Sequence, residues 1–455
     1  MIQPIADPPP VSLAVQLALA GPVGRVIWRL SAPNIVSNLL ITLVTILDAY
    51  FVAQLGTTAL ASLALVFPFQ MLMQMFGNGA MGGGIASALS RSLGRRDQAQ
   101  ANAIAWHALL IGLVMSAVFV VFFVWFAESI FALMGGTDEA LYGAIRYAYI
   151  AFGGATASWL FFTMFAICRG AGDMRAPAIA LMISTVAQVT LSACLTLGLG
   201  LFPKLGVLGP AVALVACQGA AGLGLLLYVL RGNLAVSMRP SWPAWPPMAD
   251  ILRVGGLSML NSVTIVLAVV VVTGLIGRYG FQALGGYGLG SRLELMLVPI
   301  AFGIGGALTT AVGINIGAGQ HDRARIIART GSLIALGVFT PLGIALAIWP
   351  GLWLSWFTTD PEPYQAGARY LQIVAPFYGV FVAGQVLYFA SQGTGRMFLP
   401  VLVGMVRLLV VTLTGLFTAA LGFDVGGIFW GVSAGMVTVG VGLWLCTKGP
   451  AWRVG

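Results

Sequence analysis

Residues 170–177 read GAGDMRAP, and residues 393–400 read GTGRMFLP. Both stretches place two glycines, a methionine and a proline at matching positions. A repeat of this kind predicts two similar halves that arose from one duplicated unit. Nearly the same offset aligns further pairs along the chain: Ile27 and Arg29 with Ile251 and Arg253, Gly56, Ala59 and Leu60 with Gly280, Ala283 and Leu284, and Arg146 and Tyr147 with Arg369 and Tyr370.

The composition predicts that the chain lies in a membrane. Of its 455 residues, 59% are hydrophobic and 8% are charged, whereas an ordinary soluble domain carries roughly 25% charged residues. The 60 glycines agree with this interpretation, because small residues let membrane helices pack closely. The four cysteines show neither a metal-ligand spacing nor a pairing pattern, so we interpret them as packing residues and expect no metal site.

Twelve segments are long and apolar enough to cross a bilayer, since a spanning helix needs about 20 apolar residues. We therefore predict an all-α integral membrane protein with twelve transmembrane helices in two six-helix lobes. Glycine-rich runs at 82–84 and 303–306 predict bends in the second and eighth spans. The predicted spans cover about residues 30–54, 62–88, 102–125, 143–166, 175–200, 206–231, 252–277, 285–312, 327–350, 366–391, 398–421 and 425–447.

An even number of spans in each half makes both halves enter the membrane from the same side. The lobes are then related by an axis along the membrane normal, which is the parallel repeat of some transporters. A substrate site is expected where the lobes meet, and rocking of one lobe against the other would give alternating access. The predicted divisions are a disordered or interfacial tail at 1–23, an N-lobe at 24–232, a cytoplasmic linker at 233–247, a C-lobe at 248–447 and a tail at 448–455.

The basic residues indicate the orientation, because cytoplasmic loops are enriched in lysine and arginine. Most of them fall in alternate loops, on the side that also holds both termini. We therefore predict a multi-pass protein of the cell inner membrane with both termini cytoplasmic. The formal charge of +9 is then a topology signal, and no nucleic acid is expected as a partner. The residues on this side include Arg25, Arg29, Arg91, Arg95, Arg96, Arg169, Arg175, Arg231, Arg239, Arg253, Arg323, Arg325, Arg329, Arg396, Lys448 and Arg453.

Four motifs resemble those of the multidrug and toxic compound extrusion (MATE) family, and the resemblance covers about residues 24–445. They are DAYFVAQLGTTALA at 48–61, RGAGD at 169–173, RLE at 292–294 and NIGAG at 315–319. The resemblance implies two lobes arranged in a V that export small organic, often cationic compounds by antiport with protons or sodium. It implies no cofactor besides the coupling ion. We expect a monomer whose partners are membrane lipids and its substrates.

Asp48 is the principal candidate for ion coupling. In the branch of the family typified by DNA-damage-inducible protein F, a buried aspartate of the first helix matches Asp48. The branch adds an asparagine and an aspartate in the fifth helix, where Gln188 and Ser192 stand here, and this departure favours protons over sodium. An ionisable group inside a span costs roughly 2.5–3.5 kcal/mol, so it is seldom idle. The alternative is a structural aspartate that is hydrogen-bonded to serine or asparagine neighbours such as Asn34 or Asn38.

Three further charges are predicted inside the second half. Arg292 and Glu294 are two residues apart on one helix, so they do not face each other. Arg407, near the middle of the eleventh span, is the predicted ion-pair partner of Glu294. A structural tie between two helices is the favoured role for this pair, and the alternative is a role in coupling or substrate attraction.

Met71, Met75 and Phe67 in the second span, with Asn261 in the seventh, are candidates for a substrate lining, since thioethers repack around varied ligands. Helix packing or lipid contact is the simpler interpretation. A lipid-linked precursor flippase of the same superfamily is the alternative function, but it would need more spans and a more basic cavity. An intramembrane enzyme is a further alternative, but the predicted spans contain no cluster of His, Cys, Asp or Glu with the spacing of a metal site or a catalytic dyad. An exporter coupled to protons is therefore the leading hypothesis.

Overall fold

A computed structural model of the chain describes residues 13–358 and 360–453. The described part is helical and contains no strand, as predicted. Eleven helical segments are long and apolar enough to cross a membrane, and α6 with α7, bent by 46°, makes a twelfth. The helices are α1 (Leu13–Ala20), α2 (Val23–Ala53), α3 (Thr57–Gln74), α4 (Gly82–Gly94), α5 (Gln98–Leu133), α6 (Asp138–Gly153), α7 (Ala155–Gly170), α8 (Arg175–Leu197), α9 (Gly209–Leu230), α10 (Trp245–Gly277), α11 (Phe281–Gly317), α12 (His321–Ile348), α13 (Gly351–Leu354), α14 (Pro361–Val374), α15 (Tyr378–Gly393), α16 (Phe398–Ala420) and α17 (Val425–Cys446).

Two spans contain the glycine runs in which bends were predicted. In the second span a π-helical segment, Met75–Met81, joins α3 to α4 directly before Gly82. Such wide turns are frequent at functional sites of helices. In the eighth span the prediction differs from the structure, because α11 runs as one unbroken helix through 303–306. The glycines there serve a close contact instead, since a Cβ on Gly303 would lie 2.6 Å from the Cα of Ile35.

The segment before the first span is more ordered than the sequence suggested. Residues 13–20 form α1, which packs on the end of α11 through Val15, Ala18 and Ile314. The side-chain amide of Asn315 donates to the carbonyl oxygen of Ala18 at 3.0 Å. The proline-rich part of the predicted tail, residues 1–12, lies outside the described residues. Residues 13–20 are therefore not disordered, because apolar side chains of α1 pack against α11, and the interfacial alternative stays a prediction.

The two chain ends lie on the same side of the helix bundle. Arg323, at the start of α12, donates to the carbonyl oxygen of Ala18 at 3.1 Å. One turn and a half later, Arg329 donates to the hydroxyl of Thr447 at 3.0 Å. We call this the terminal side of the molecule. The N-lobe (α2 to α9) and the C-lobe (α10 to α17) are packed together in this half of the spans.

Glycines on α4 and α11 bring the backbones of the two lobes into contact there. A Cβ on Gly94 would lie 2.1 Å from the carbonyl oxygen of Ile314, and a Cβ on Gly317 would lie 2.1 Å from that of Arg91. Neither residue could be larger without moving a backbone. We call this contact of α4 with α10 and α11 the seam. It closes the terminal side of the space between the lobes.

Enlarging a seam glycine should weaken the closed arrangement. In Gly94→Ala the new methyl group meets a backbone oxygen, and overpacking of this kind costs about 1–3 kcal/mol. We expect a lower melting temperature of the purified protein. Gly256→Ala on α10 is the matched control, because a Cβ there meets nothing within 4 Å. Equal melting temperatures for the two variants would contradict the close contact.

Candidate functional site

The face of α2 that meets the C-lobe at the seam becomes exposed further along the helix. Ile35 contacts Gly303 of α11. Ile46 and Tyr50 lie 11 and 15 residues later, about three and four turns on, so they share that face. Ile46 is 56% exposed and Tyr50 is 61% exposed. We infer from this exposure that the helices separate away from the terminal side and leave an apolar cleft between the lobes.

The opposing wall of the cleft is the matching face of α11. Met296 and Arg292 precede Gly303 by 7 and 11 residues, which places all three on one face. Both side chains are exposed, and the guanidinium carbon of Arg292 lies 5.8 Å from the ring centre of Phe357. Arg292 is thus an exposed positive charge on the cleft side of the C-lobe and turns away from Glu294, as the spacing predicted.

The three second-span candidates for a substrate lining follow one line along the helix. Phe67, Met71 and Met75 are spaced by four residues, and the next position is Gly79. A Cβ on Gly79 would lie 4.0 Å from the ring of Phe302 on α11. Gly79 therefore faces α11, and the role of the three preceding side chains in a substrate lining stays a prediction.

Asp48 lies in the N-lobe between α2 and α8. The hydroxyl of Ser192 donates to Asp48 Oδ1 at 2.5 Å, and the side chain of Gln188 is within hydrogen-bonding reach. Both partners are the fifth-span residues selected from the sequence. Asn34 and Asn38 are not partners, because Asn34 donates to the carbonyl of Gly303 at 2.8 Å and Asn38 to that of Asn34 at 2.7 Å. Neither asparagine is bonded to Asp48, since Asn34 stands about 21 Å along the helix axis from it. A structural role of Asp48 with Ser192 as its serine partner stays a prediction.

A hydrogen bond between the second and fourth spans of the N-lobe recurs between the corresponding spans of the C-lobe, the eighth and the tenth. The amide of Gln70 on α3 donates to the hydroxyl of Tyr147 on α6 at 3.0 Å. In the C-lobe the hydroxyl of Tyr370 on α14 donates to the carboxylate of Glu294 on α11. These pairs occupy equivalent places in the internal repeat. Duplication has kept the bond while one partner became an acid.

The predicted ion pair between Glu294 and Arg407 does not form. Glu294 is bonded to Tyr370, and the ion pairs of the described residues all involve other side chains. The guanidinium carbon of Arg407 instead lies 5.2 Å from the ring centre of Phe381. The carboxylate instead accepts from a tyrosine of the repeat, which the sequence pairing had not assigned to any role, and Arg407 is turned toward Phe381.

The sequence interpretation also misplaced Arg169, which it assigned to a loop. The side chain is 1% exposed in the seam, where it donates to the carbonyl of Asn78 at 3.3 Å and lies over the ring of Phe302 at 5.2 Å. Its carbonyl oxygen accepts from the hydroxyl of Thr310 at 2.9 Å. The RGAGD motif at 169–173 singled out Arg169 as part of the family resemblance. The motif did not show that this side chain joins the lobes.

Two similar six-span lobes that meet at one side of a cleft have the architecture of an alternating-access membrane transporter. The model of the MatE family matches residues 33–194 and again residues 258–417, once in each lobe. The chain belongs to the MatE family, whose members are transporters. The fold and the family predicted from the sequence are both confirmed.

Named relatives are similar along most of their length. The FAD transporter of Shewanella oneidensis is 27% identical over 421 residues, which is 90% of each chain. The probable multidrug resistance protein YoeA of Bacillus subtilis is 25% identical over 387 residues, or 83% of each chain. Among solved structures, a MOP superfamily transporter of Pyrococcus furiosus has a TM-score of 0.89 at 21% identity and covers 96% of this chain and 98% of its own. At that identity the likeness shows the fold alone.

Proposed function

We propose that this protein is a secondary active exporter of small organic molecules that exchanges them for protons through Asp48. The observation that carries the proposal is a carboxyl group between two spans whose hydrogen-bond partner is the neutral hydroxyl of Ser192. No ion pair of the described residues involves Asp48. Such a group can take up a proton without breaking a salt bridge, as a proton carrier must.

Protons suit this site better than sodium ions. A hard metal cation prefers about six oxygen ligands. Among the described residues, Ser192 and Gln188 hydrogen-bond to Asp48 and Tyr147 lies within electrostatic reach of it, so the site offers fewer oxygens than that. A proton needs one carboxylate oxygen. This argument agrees with the resemblance of Asp48 to the aspartate of the DNA-damage-inducible protein F branch, and we place the chain in that branch as part of the proposal.

The cleft supports amphipathic cargo. Tyr50 and Phe67, which we assign to its walls, are 61% and 40% exposed, and aromatic faces attract organic cations as well as apolar groups. A relative named as a multidrug resistance protein agrees with such cargo. The precursor flippase is not pursued, since the relatives described above are named for drugs or FAD. We place the protein in the cell inner membrane with its arginine-rich terminal side facing the cytoplasm. The cleft then faces outward. The protein acts as a monomer.

Export of an anionic aromatic molecule is the second candidate. Arg292 places an exposed positive charge on the cleft wall, and one relative is named as an FAD transporter. A guanidinium group binds phosphate through paired hydrogen bonds. The charge of the cargo is therefore a measurable difference between the two candidates.

Proteoliposomes can test the coupling ion and the cargo together. Vesicles containing the protein are loaded with ethidium or with FAD, and efflux is followed under a proton gradient, a sodium gradient or neither. We expect the proton gradient to accelerate efflux of at least one cargo and the sodium gradient to have no effect. Equal acceleration by sodium would contradict the coupling assigned to Asp48. Vesicles without protein provide the baseline.

A further inference from the structure

A small polar cavity lies inside the C-lobe, between α10, α15, α16 and α17. Its polar lining consists of Asn261 and Thr264 of α10, Gln385 and Tyr388 of α15 and Arg407 of α16. The remaining lining is apolar. The cavity offers about 10 Å³ to the centre of a water-sized sphere, which is the space of one water molecule or one small ion.

Arg407 reaches this cavity without an ion-pair or hydrogen-bond partner among the described residues, and its guanidinium carbon lies 5.2 Å from the ring centre of Phe381. It lies on the face of α16 that holds the buried Pro400 and Val411, so it points into the lobe. Its stem is packed closely, because a Cβ on Gly435 of α17 would lie 3.4 Å from Arg407 Cγ. The Nε atom is enclosed without a hydrogen bond, and no ion pair of the described residues includes this arginine. A guanidinium group stays charged and has five N–H donors.

The other polar groups at the cavity are neutral and can donate. Asn261 and Gln385 bring amide groups, and the enclosed hydroxyl of Tyr388 lies near the side chains of Ser258 and Asn261. The structure has made room for Asn261, since a Cβ on Gly404 would lie 2.2 Å from its side-chain oxygen. No carboxylate lines the cavity. One arginine with neutral donors around a closed space is the arrangement that recognises an anion.

Glu294 is the acid that acts on Arg407 electrostatically. Its carboxylate accepts the hydroxyl of Tyr370 and makes no ion pair with the arginine. Tyr287 and Tyr370 are the other titratable groups in the surroundings of Arg407. Glu294 therefore lowers the positive electrostatic potential at the cavity, but its carboxylate does not line the cavity.

We propose that this cavity binds one small anionic group, held by Arg407 and the donors of Asn261, Gln385 and Tyr388. The anion is either a free halide or a carboxylate at the end of a transported molecule. The Nε–H group of Arg407 is enclosed and has no acceptor, which is costly for a polar group, and a bound anion supplies the missing acceptor. The site goes beyond the proposed proton coupling, because binding does not depend on transport.

The first test measures anion binding to the purified full-length protein. Chloride replaces methanesulfonate, which carries no carboxylate and is larger than the cavity, at constant ionic strength, and the melting temperature is recorded. We expect a saturable rise for the wild type. In Arg407→Gln the apparent chloride affinity should fall by about tenfold or more, because a hydrogen bond to a charged group is worth about 1.5–3 kcal/mol. Arg278→Gln, which changes an exposed arginine directly after α10 in the same lobe, is the matched control and should keep the response.

A second variant tests the opposing acid. Glu294→Gln should tighten chloride binding, since it removes a negative charge near Arg407. The variant should fold, because the amide of Gln70 makes the equivalent bond to Tyr147 in the N-lobe. If Arg407→Gln does not fold, Asn261→Ala replaces it and should weaken binding. Chloride responses that are absent in the wild type, or unchanged in these variants, would overturn the proposal.

Transport measurements distinguish the two possible sources of the anion, a free halide and a carboxylate of the substrate. Efflux of fluorescein, which carries a carboxylate, is compared with efflux of ethidium at low and high chloride. Inhibition of fluorescein efflux alone would show that the substrate carboxylate uses the site. A chloride-dependent melting temperature without such inhibition would show that a free halide does. Loss of all transport with an intact chloride response would contradict the proposed function and leave the anion site supported.

Discussion

Asp48→Asn is expected to abolish proton-driven efflux, down to the rate of vesicles without protein. Asparagine has nearly the shape of aspartate, and its side-chain oxygen can still accept the hydrogen bond from Ser192. It cannot carry a proton. The protein should therefore fold and bind its cargo, but the proton gradient should no longer drive transport. The measurement is the efflux rate with and without the gradient.

Two further variants distinguish a loss of proton coupling from a general loss of folding or transport. Asp322→Asn changes an exposed carboxylate on the terminal side, whose pair with Arg325 spans 3.3 Å, and an exposed pair contributes about 0–1 kcal/mol. It should leave proton-driven efflux unchanged. Ser192→Ala removes one hydrogen bond from Asp48 and should reduce the rate without abolishing it. Full proton-driven efflux in Asp48→Asn would refute the role of this aspartate.

The architecture could be predicted because bilayer thickness and backbone chemistry leave few choices. Each long apolar run had to become a helix, and the two-fold alignment of glycine and proline residues assigned those helices to two lobes. The first helix was missed because α1, at Leu13–Ala20, is too short to span a membrane. It is stabilised by contacts with α11, which lies some 300 residues later in the chain, and no local pattern shows such contacts.

The candidate site could be predicted only where a residue was unusual for a membrane span or matched a family motif. Asp48 stood out because a carboxyl group is costly in a span, and Ser192 and Gln188 followed from the family resemblance. The Tyr370 bond to Glu294 was hidden, since it depends on how α14 is rotated against α11. The signal that could have revealed it was the repeated Arg-Tyr pair at 146–147 and 369–370, in which the tyrosine had no assigned partner.

Asp250→Asn is expected to open the terminal side of the molecule. Asp250 of α10 accepts a hydrogen bond from Arg91 of α4 at 2.5 Å and so joins the two lobes across the seam. The side chain of Arg91 is 8% exposed and that of Asp250 is 28% exposed. Removing the carboxylate leaves a buried guanidinium without its counter-charge, which costs about 3–5 kcal/mol. We expect the lower end of that range, because water still reaches Asp250.

That cost applies to the closed arrangement alone. Arg91 also donates to the hydroxyl of Ser87, and a Cβ on Gly395 would lie 2.9 Å from its guanidinium carbon, so the closed seam surrounds it with protein. Separation of the lobes would expose Arg91 to water and remove the penalty. About 3 kcal/mol shifts an equilibrium by roughly a hundredfold, which makes the open form detectable.

Spin labels on Ala99 and Gln320, exposed on the terminal side of the N-lobe and the C-lobe, measure this opening in a background without native cysteines. The distance distribution should shift to longer values in Asp250→Asn. Asp322→Asn should not shift it, since the pair it breaks lies within one helix. If exchange of the two charges, Arg91→Asp with Asp250→Arg, restores the short distance, attraction across the seam closes the terminal side. An unchanged distribution in Asp250→Asn would mean that the glycine contacts hold the lobes together without the ion pair.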